Sequence, residues 1–421
     1  MKRFALLALL GLLVLPVERA SSAEPTQKTI ELEELEKVRK VRQRKYSPSN
    51  RIERYGEAAM ELLAEGDAPA AKALLEKLNP KRLNPYERAL TSIRLGYVSY
   101  ELEDPRAAIE NFSKALGENI LSVKQDAELR FNIVQLYAAL GQWRDVLDAI
   151  DDWAGYVEER TALSFYLQAI AYYQLDDSDE SIVYAEKAVE SAPEAKEGWL
   201  QLLAALYVKK QDYKSAAPVL EELVVSFRKK EYWSQLSLIY GAIDDFRGSL
   251  AVQQVAYLQG LLTQDKELRR LARGYLYNEL PHPAAQVLQQ GIEERALDAD
   301  AEAYELLANS WIAAREYDKS LEPLARAADL SEDGNLYVRL GQVRMQREEW
   351  SEAVRTFQKA VAKGDLKEPG NAHLLLGICQ YNDRSVDRAR ASFGLARKHE
   401  DSRSQADAWI DHIESEAGRA G

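Results

Sequence analysis

Cysteine and histidine are scarce in this chain of 421 residues, which carries one cysteine and four histidines. A single cysteine excludes an intrachain disulfide framework and any metal site built from several thiolates. Cys379 has no evident base near it in sequence, so we predict a structural thiol rather than a nucleophile. The sequence also lacks a glycine-rich phosphate loop, a G-x-S-x-G motif and an H-E-x-x-H motif. We therefore predict no metal, no cofactor, no catalytic residue and no enzymatic activity.

Basic residues are outnumbered, with 55 lysines and arginines against 68 aspartates and glutamates and a formal net charge of −13. Nucleic-acid phosphates require a basic surface, so this balance argues against a nucleic-acid partner. Hydrophobic residues make up 46% of the chain, which is enough for a folded core. Long apolar runs are absent after the first residues, so we expect no stable membrane span in the mature protein.

The first 23 residues have the pattern of a secretory signal. Lys2 and Arg3 precede an apolar stretch at residues 4–15, Pro16 ends that stretch, and residues 21–23 are small. This order of basic, apolar and small residues predicts export with cleavage near Ala23. The alternative is a membrane anchor, but about 12 apolar residues fall short of the roughly 20 needed to span a bilayer.

Residues 24–50 form a segment in which acidic residues precede basic ones. Four glutamates at positions 31–36 are followed by six lysines and arginines at positions 37–45. Opposite charges at this spacing predict a solvated helix with local ion pairs, or a mobile arm. In the alternative interpretation, the basic run contacts acidic lipid headgroups or an acidic partner, and its role stays open.

A repeat of about 35 residues fills the chain from residue 51 to residue 416. Its clearest marker is a small residue after an apolar one, found at Ala59, Gly96, Val134, Ala169, Ala204, Ser237, Ala272, Ala308, Gly341 and Gly377. In the best-matched units, Leu340-Gly341 is followed by Ala353, Phe357 and Ala360, and Leu376-Gly377 by Ala389, Phe393 and Ala396. These offsets are similar to those of the tetratricopeptide repeat, in which each unit is a pair of antiparallel helices.

The resemblance implies an all-α fold, a right-handed superhelical solenoid of about ten helix hairpins. Hairpins of this kind cannot bury their apolar faces alone, so neighbouring units must stack. We expect Gly96, Gly341 and Gly377 to lie where the two helices of a hairpin approach most closely. A stripe of Ala406, Trp409, Ile410 and Ile413 predicts one more helix that caps the array, before a tail at residues 417–421. Pro218 and Pro323 fall inside predicted helices and should produce local kinks rather than breaks.

The exposed side of the first helix in each hairpin lines a groove in tetratricopeptide arrays. Registering the repeats places twelve residues there: Tyr97, Tyr100, Phe131, Gln135, Tyr166, Tyr173, Gln201, Arg269, Arg273, Asn309, Gln342 and Tyr381. The aromatic residues of the first half suit an extended or proline-rich peptide held by stacking and hydrogen bonds. In the alternative interpretation, several of these rings pack between adjacent helices.

Several stretches resemble a narrower group, the exported tetratricopeptide proteins of Gram-negative bacteria whose genes accompany TonB–ExbB–ExbD systems, which includes the component TtpC. They are residues 83–87, 230–233, 239–241, 333–337, 370–377 and 408–410. The resemblance implies a periplasmic scaffold that serves TonB-dependent uptake, with a TonB-type transducer or ExbB/ExbD-type motor proteins as partners. An adaptor of another envelope machine, for outer-membrane assembly or polysaccharide export, is the alternative function. A protein tethered to the inner membrane and facing the periplasm is the alternative location.

Overall fold

The computed structural model of the protein describes residues 26–420. The expected signal peptide at residues 1–23 lies outside this range and stays a prediction. Within the range, the chain forms 22 α-helices and one short 3-10 helix, Pro80–Arg82, and no strand. None of these helices is long and apolar enough to cross a membrane. The prediction of an all-α repeat fold is confirmed.

The helices of the first unit, which ends at Phe227, comprise a separate N-terminal helix and five hairpins. The N-terminal helix α1 is Gln27–Gln43, and the hairpins are α2 Asn50–Ala64 with α3 Ala68–Glu76, α4 Pro85–Glu101 with α5 Pro105–Gly117, α6 Val123–Leu140 with α7 Trp143–Ala154, α8 Ala162–Gln174 with α9 Ser178–Glu190, and α10 Glu197–Lys209 with α11 Tyr213–Phe227. Successive hairpins pack against each other along the chain, as stacking requires.

The second unit begins at Arg228 and contains five further hairpins and a last helix. The hairpins are α12 Lys230–Ala242 with α13 Phe246–Leu258, α14 Asp265–Tyr277 with α15 Pro281–Glu293, α16 Ala301–Ala313 with α17 Tyr317–Leu330, α18 Asn335–Gln346 with α19 Trp350–Lys363, and α20 Pro369–Asn382 with α21 Val386–Ala396, followed by α22 Arg403–Ala420. The described residues therefore form ten hairpins, the number predicted from the repeat.

The turn inside each hairpin contains one residue in the left-handed region, which reverses the chain between the two helices. These residues are Gly66, Glu103, Gly141, Asp176, Gln211, Asp244, Glu279, Arg315, Glu348 and Arg384. An aspartate often follows and caps the second helix: the carboxylate of Asp104 accepts a hydrogen bond from the backbone N–H of Ala107 at 3.0 Å. Such a cap satisfies one of the free N–H groups at a helix start.

Three glycines lie where the helices of a hairpin meet, as predicted. A β-carbon built at Gly96 would lie 2.3 Å from the ring of Phe112. At Gly341 and Gly377 it would lie 2.7 Å from Phe357 and 2.6 Å from Phe393. All three rings are almost completely buried. The aromatic residue of the second helix therefore takes the space that a side chain would need on the first helix.

The prolines do not break their helices, and the last helix caps the array as predicted. Helices α11 and α17 run through Pro218 and Pro323 without a break. In α22, Ala406 and Ile413 are buried against Leu374 and other residues of the last hairpin. Helix α22 thus covers the packing face that the last repeat would otherwise expose, and it continues into the residues expected to form a tail.

Candidate protein-binding site

Three of the predicted groove residues lie together in the first unit. Tyr97 on α4 and Phe131 and Gln135 on α6 line one cavity of about 1120 Å³. Trp153 and Tyr156, at and after the end of α7, contribute to the same wall. We call this space the groove. Its size suits a segment of a protein or peptide rather than a single small ion.

The floor of the groove is aromatic and carries hydrogen-bonding groups. The rings of Phe131 and Trp153 have centroids 4.9 Å apart. Tyr97 packs edge-on against Phe112 at 5.2 Å, and its hydroxyl accepts a hydrogen bond from the side chain of Asn132 at 3.4 Å. Burial raises the pKa of Tyr97, so its hydroxyl keeps its proton at neutral pH and can also donate to a ligand.

Helix α1 forms the opposite wall of the groove. It begins after Thr26, whose hydroxyl accepts a hydrogen bond from the backbone N–H of Thr29 at 3.2 Å. Leu32 and Glu36 are half-buried and line the cavity, whereas Val38 on the other side of the helix is exposed. The prediction of a helix for this segment is confirmed, but one face of it packs against the repeats instead of being solvated on all sides.

Polar side chains attach α1 to α6 and α7. The guanidinium of Arg39 donates to the carboxylate of Asp126 at 2.9 Å, and Arg39 and Asp126 are 5% and 1% exposed. Glu36 accepts a hydrogen bond from the backbone N–H of Val123, the first residue of α6, at 2.8 Å. Lys28 donates to the carbonyl oxygen of Ala154 at 2.7 Å. These contacts fix both ends of α1 relative to the groove.

Asp126 is the electrostatic centre of this attachment. Its second carboxylate oxygen accepts from Arg130 at 2.9 Å, and Arg130 also pairs with Asp152 and lies 3.9 Å from the ring centre of Tyr156. Burial raises the pKa of the Asp126 carboxyl, while the positive charges of Arg130 and Arg39 act in the opposite direction. A buried carboxylate between two arginines is stable only while its cations remain in place.

The other predicted residues of the first unit lie outside this cavity. Tyr100 packs against the buried core around Phe112. Tyr166 stacks on Trp199 with centroids 5.3 Å apart, which matches the alternative of rings packed between adjacent helices. Tyr173 and Gln201 are exposed on α8 and α10.

In the second unit, four of the five predicted residues already interact with neighbouring helices. Arg269 is buried and donates to Asp265 at 2.9 Å and to Asp300 at 3.0 Å. Two further pairs are Arg273 with Glu302 and Asn309 with Arg339. Tyr381 donates to Glu416 of α22 at 2.6 Å and packs against Trp409. Gln342 is exposed. The structure does not bring these residues into one cavity.

Arg39 and Asp126 are the site residues that sequence reasoning missed. Asp126 falls on the apolar stripe of α6, in register with Leu129, Ile133 and Leu136, all buried. A charged residue on such a stripe is a signal of a buried partner, because an unpaired charge there would be costly. The partner is 87 positions away, however, and nothing in the repeat indicates Arg39.

Metal-binding clusters, the cysteine and the histidines are the remaining candidates for chemistry. Residues 26–420 contain no cluster of three or more histidine, cysteine, aspartate or glutamate side chains that could hold a metal ion. Cys379 is fully buried, and burial raises its pKa to about 12, which suits a structural thiol. His373 packs beside His399 with ring centroids 6.3 Å apart.

Comparison with known proteins identifies the repeat in two parts of the chain. Residues 166–232 and 338–403 match the family model of the tetratricopeptide repeat. Among solved structures, the chain is similar to a tetratricopeptide repeat protein from Parabacteroides merdae, with 16% identity over 70% of this chain and 99% of that one and a TM-score of 0.34. It is also similar to MamA from Desulfovibrio magneticus, with 23% identity over 41% of this chain and 97% of that one and a TM-score of 0.30.

A third similar structure is the Naa15/Naa10 complex bound to HypK-THB, with 13% identity over 78% of this chain and 51% of that one and a TM-score of 0.45. No curated protein matches the chain. The matched stretches coincide with helical hairpins of the kind that the repeat predicts. Two stretches of the chain, residues 166–232 and 338–403, therefore match the tetratricopeptide repeat.

Proposed function

We propose that this protein is a non-enzymatic interaction scaffold of the periplasm that serves TonB-dependent transport across the outer membrane. Tetratricopeptide repeats bind protein partners, so the scaffold role has direct support. The observation that carries it is the groove, where Tyr97, Phe131 and Gln135 line one cavity with an aromatic floor. The export signal predicted for residues 1–23 and the resemblance to TonB-associated proteins support the location and the transport role.

The proposed partner is the periplasmic part of a TonB-type transducer or of its ExbB/ExbD-type motor proteins. The chain is acidic overall, which suits a partner with a basic, proline-rich spacer. Charges outside the contact itself increase association rates more than affinity. Added salt should therefore slow association with that spacer, whereas a rate insensitive to salt would contradict the electrostatic part of this proposal.

Capture from living cells tests the partner. A photo-crosslinking amino acid replaces Gln135 in the groove, and the matched control carries it at Tyr277, a residue of the second unit that is 67% exposed. We expect the groove probe, but not the control, to capture the transducer or a motor protein from the periplasm. Capture of outer-membrane assembly or polysaccharide-export proteins would favour the alternative function. Recovery of the mature chain from the cytosol would contradict the location, and recovery with the inner membrane would favour a tether.

The contribution of the aromatic floor can be measured separately with the captured partner. Phe131→Ala removes a ring that packs on Trp153 and should weaken binding at least tenfold. Tyr277→Ala, which removes an exposed ring of the second unit, should leave the affinity unchanged. Equal affinities for the two variants would show that this groove is not the binding site.

A further inference from the structure

We propose that helix α1 is an intramolecular ligand of the third hairpin, bound beside the groove, and that a protein partner binds at the same place as a helix carrying the same pattern of side chains. The pattern is L-x-x-L-E-x-x-R, formed in this chain by Leu32, Leu35, Glu36 and Arg39. This place on the third hairpin would then be occupied by the chain's own N-terminal segment until a competing helix displaces it. The identity of the natural competitor rests on the proposed function, whereas the binding of α1 does not.

The first step is that α1 contacts the repeats in the way that a helical peptide contacts a groove. Lys28, Glu36 and Arg39 each bond to a group on the third hairpin, and these three side chains lie on one face of the helix together with Leu32 and Leu35. A helix that places one face into a groove and leaves the other in solvent is a recurring mode of peptide recognition. The opposite face, with Ile30, Val38 and Val41, is exposed.

The second step concerns the chemistry that the attachment site of α1 demands. Asp126 is 1% exposed, and one of its oxygens is bound by Arg39. If α1 left without a replacement, that oxygen would lose its donor in a buried place, which is unfavourable. Asn119 also accepts from Arg39 at 3.3 Å. A competing segment must therefore bring a cation to the same position, and a planar guanidinium suits two acceptors better than an ammonium.

A second requirement comes from the start of α6. The backbone N–H of Val123 points at the carboxylate of Glu36 rather than at an acceptor of its own helix. Helix N-termini favour negative charge, so an acidic side chain three positions before the arginine completes the pattern. The Glu-x-x-Arg spacing places both side chains on the same face of the partner helix.

The third step is that the attachment of α1 leaves room for a competitor. Its leucines are half-buried rather than fully buried, and one guanidinium nitrogen of Arg39 is buried with no hydrogen-bond partner among the described residues. Residues 44–49, which join α1 to α2, contain no helical residue. The cavity beside α1 also leaves the aromatic floor accessible, so a competitor can make contacts there that α1 does not make.

Tethering sets the strength of the competition. A short flexible connector gives an attached ligand an effective concentration of roughly millimolar. A free helix with the same contacts must compete with the tethered α1. Its apparent affinity is its intrinsic affinity multiplied by the fraction of molecules from which α1 has detached. Weakening the attachment of α1 should therefore raise the apparent affinity for an added helix, even though the groove itself is unchanged.

The experiment uses the whole mature chain and a fluorescent peptide with the sequence of residues 24–45 as the probe. Arg39→Ala in the chain removes the ion pair with Asp126, and Arg44→Ala is the matched control, because it removes an exposed arginine of the same segment. We expect the Arg39→Ala chain to bind the peptide at least tenfold more tightly than the wild-type and Arg44→Ala chains. A peptide that itself carries Arg39→Ala should not bind.

Hydrogen exchange of residues 27–43 gives an independent measurement. These amides should exchange slowly in the wild-type and Arg44→Ala chains and faster in the Arg39→Ala chain. Equal peptide binding by all chains, no binding to any chain, or fast exchange of α1 in the wild-type chain would overturn the proposal. The wild-type chain could instead form a concentration-dependent dimer that Arg39→Ala abolishes. That result would show that the site binds a second copy of the chain, and the proposed partner helix would be wrong.

This test involves no envelope protein, so its outcome is separate from that of the proposed function. If α1 behaves as described but no transducer or motor protein is captured, the transport role is wrong and the intramolecular ligand stands. If capture succeeds while α1 does not compete with the probe, the transport role stands and the intramolecular ligand is wrong.

Discussion

The guanidinium of Arg39 and the carboxylate of Asp126 are 2.9 Å apart, although 87 positions separate them in the chain. Asp126 also accepts from Arg130, four residues further along α6. The pair thus joins an N-terminal helix that lies outside the repeat to the interior of the repeat. Because both members are buried, the contact should affect stability much more than a surface ion pair would.

Asp126→Asn should lower the free energy of unfolding by about 3 kcal/mol, because it leaves two guanidinium groups close together without their carboxylate. Asp152→Asn is the matched control, since Asp152 contacts the same Arg130 but is 58% exposed. Its effect should stay within about 0.5 kcal/mol. Urea unfolding followed by circular dichroism measures both. Similar losses for the two variants would contradict the central role of Asp126.

The close approach of Gly377 to Phe393 predicts a strong effect of one methyl group. Gly377→Ala would place its β-carbon 2.6 Å from the buried ring, so we expect a loss of about 1–3 kcal/mol through overpacking. Gly394→Ala on the facing helix of the same hairpin has nothing within 4 Å of the new carbon. That change should stabilise the helix by about 0.5–1 kcal/mol, so thermal unfolding should shift in opposite directions for the two variants.

Cys379 should be inert in the native protein. Its thiol is fully buried and burial raises its pKa to about 12, so little reactive thiolate exists at pH 8. An aromatic disulfide reagent should therefore react with the thiol only after urea unfolds the second unit. The denatured chain is the control and should immediately release one equivalent of the reagent's aromatic thiol per chain. Rapid labelling of the native chain would show that the last hairpin opens readily.

The pair of Asp265 with Arg269 predicts a pH-dependent contribution to stability. The hydrogen bond from Arg269 lowers the pKa of Asp265, so the folded state binds its proton less readily than the unfolded state. The contribution is therefore present above the unfolded pKa of about 4 and is lost as the pH falls through the lower folded value.

Asp265→Asn should cost about 1–2 kcal/mol at pH 7, and the difference from the wild-type chain should shrink as the pH falls through the lowered pKa of Asp265. Chemical unfolding at a series of pH values provides the measurement. Asp298→Asn serves as the control, since the Asp298 side chain is exposed while its backbone N–H donates to the same Asp265 carboxylate at 3.1 Å. A difference for Asp265→Asn that stays constant with pH would mean that its charge is not responsible.

The hairpins could be predicted from the sequence because their cause is local and repeated. The best-matched units place a small residue opposite an aromatic one, as with Gly96 and Phe112 and with Gly377 and Phe393. A repeat of about 35 residues is visible in the sequence without any knowledge of distant contacts. The ends of the helices follow from turn residues for the same reason.

The attachment of α1 could not be predicted, because it occurs once and joins distant positions. Arg39 belongs to a charged segment whose composition is equally compatible with a solvated helix. The predicted groove residues show a related limit. Register identifies the side of a helix on which Arg269 lies, but not that Asp265 and Asp300 already occupy its guanidinium. Asp300 lies in the loop before α16, whose position relative to Arg269 does not follow from the repeat register.

The bond between Arg39 and Asp126 has a mechanical consequence for the first unit. Stacks of hairpins fray from their ends, since a terminal hairpin has a neighbour on one side only. Helix α1 precedes the first hairpin but bonds to the third. It therefore connects the terminal hairpin of the stack to a hairpin two positions further along the chain. Displacement of α1 would therefore also destabilise the outermost hairpins of the first unit, and not only the third hairpin to which α1 bonds.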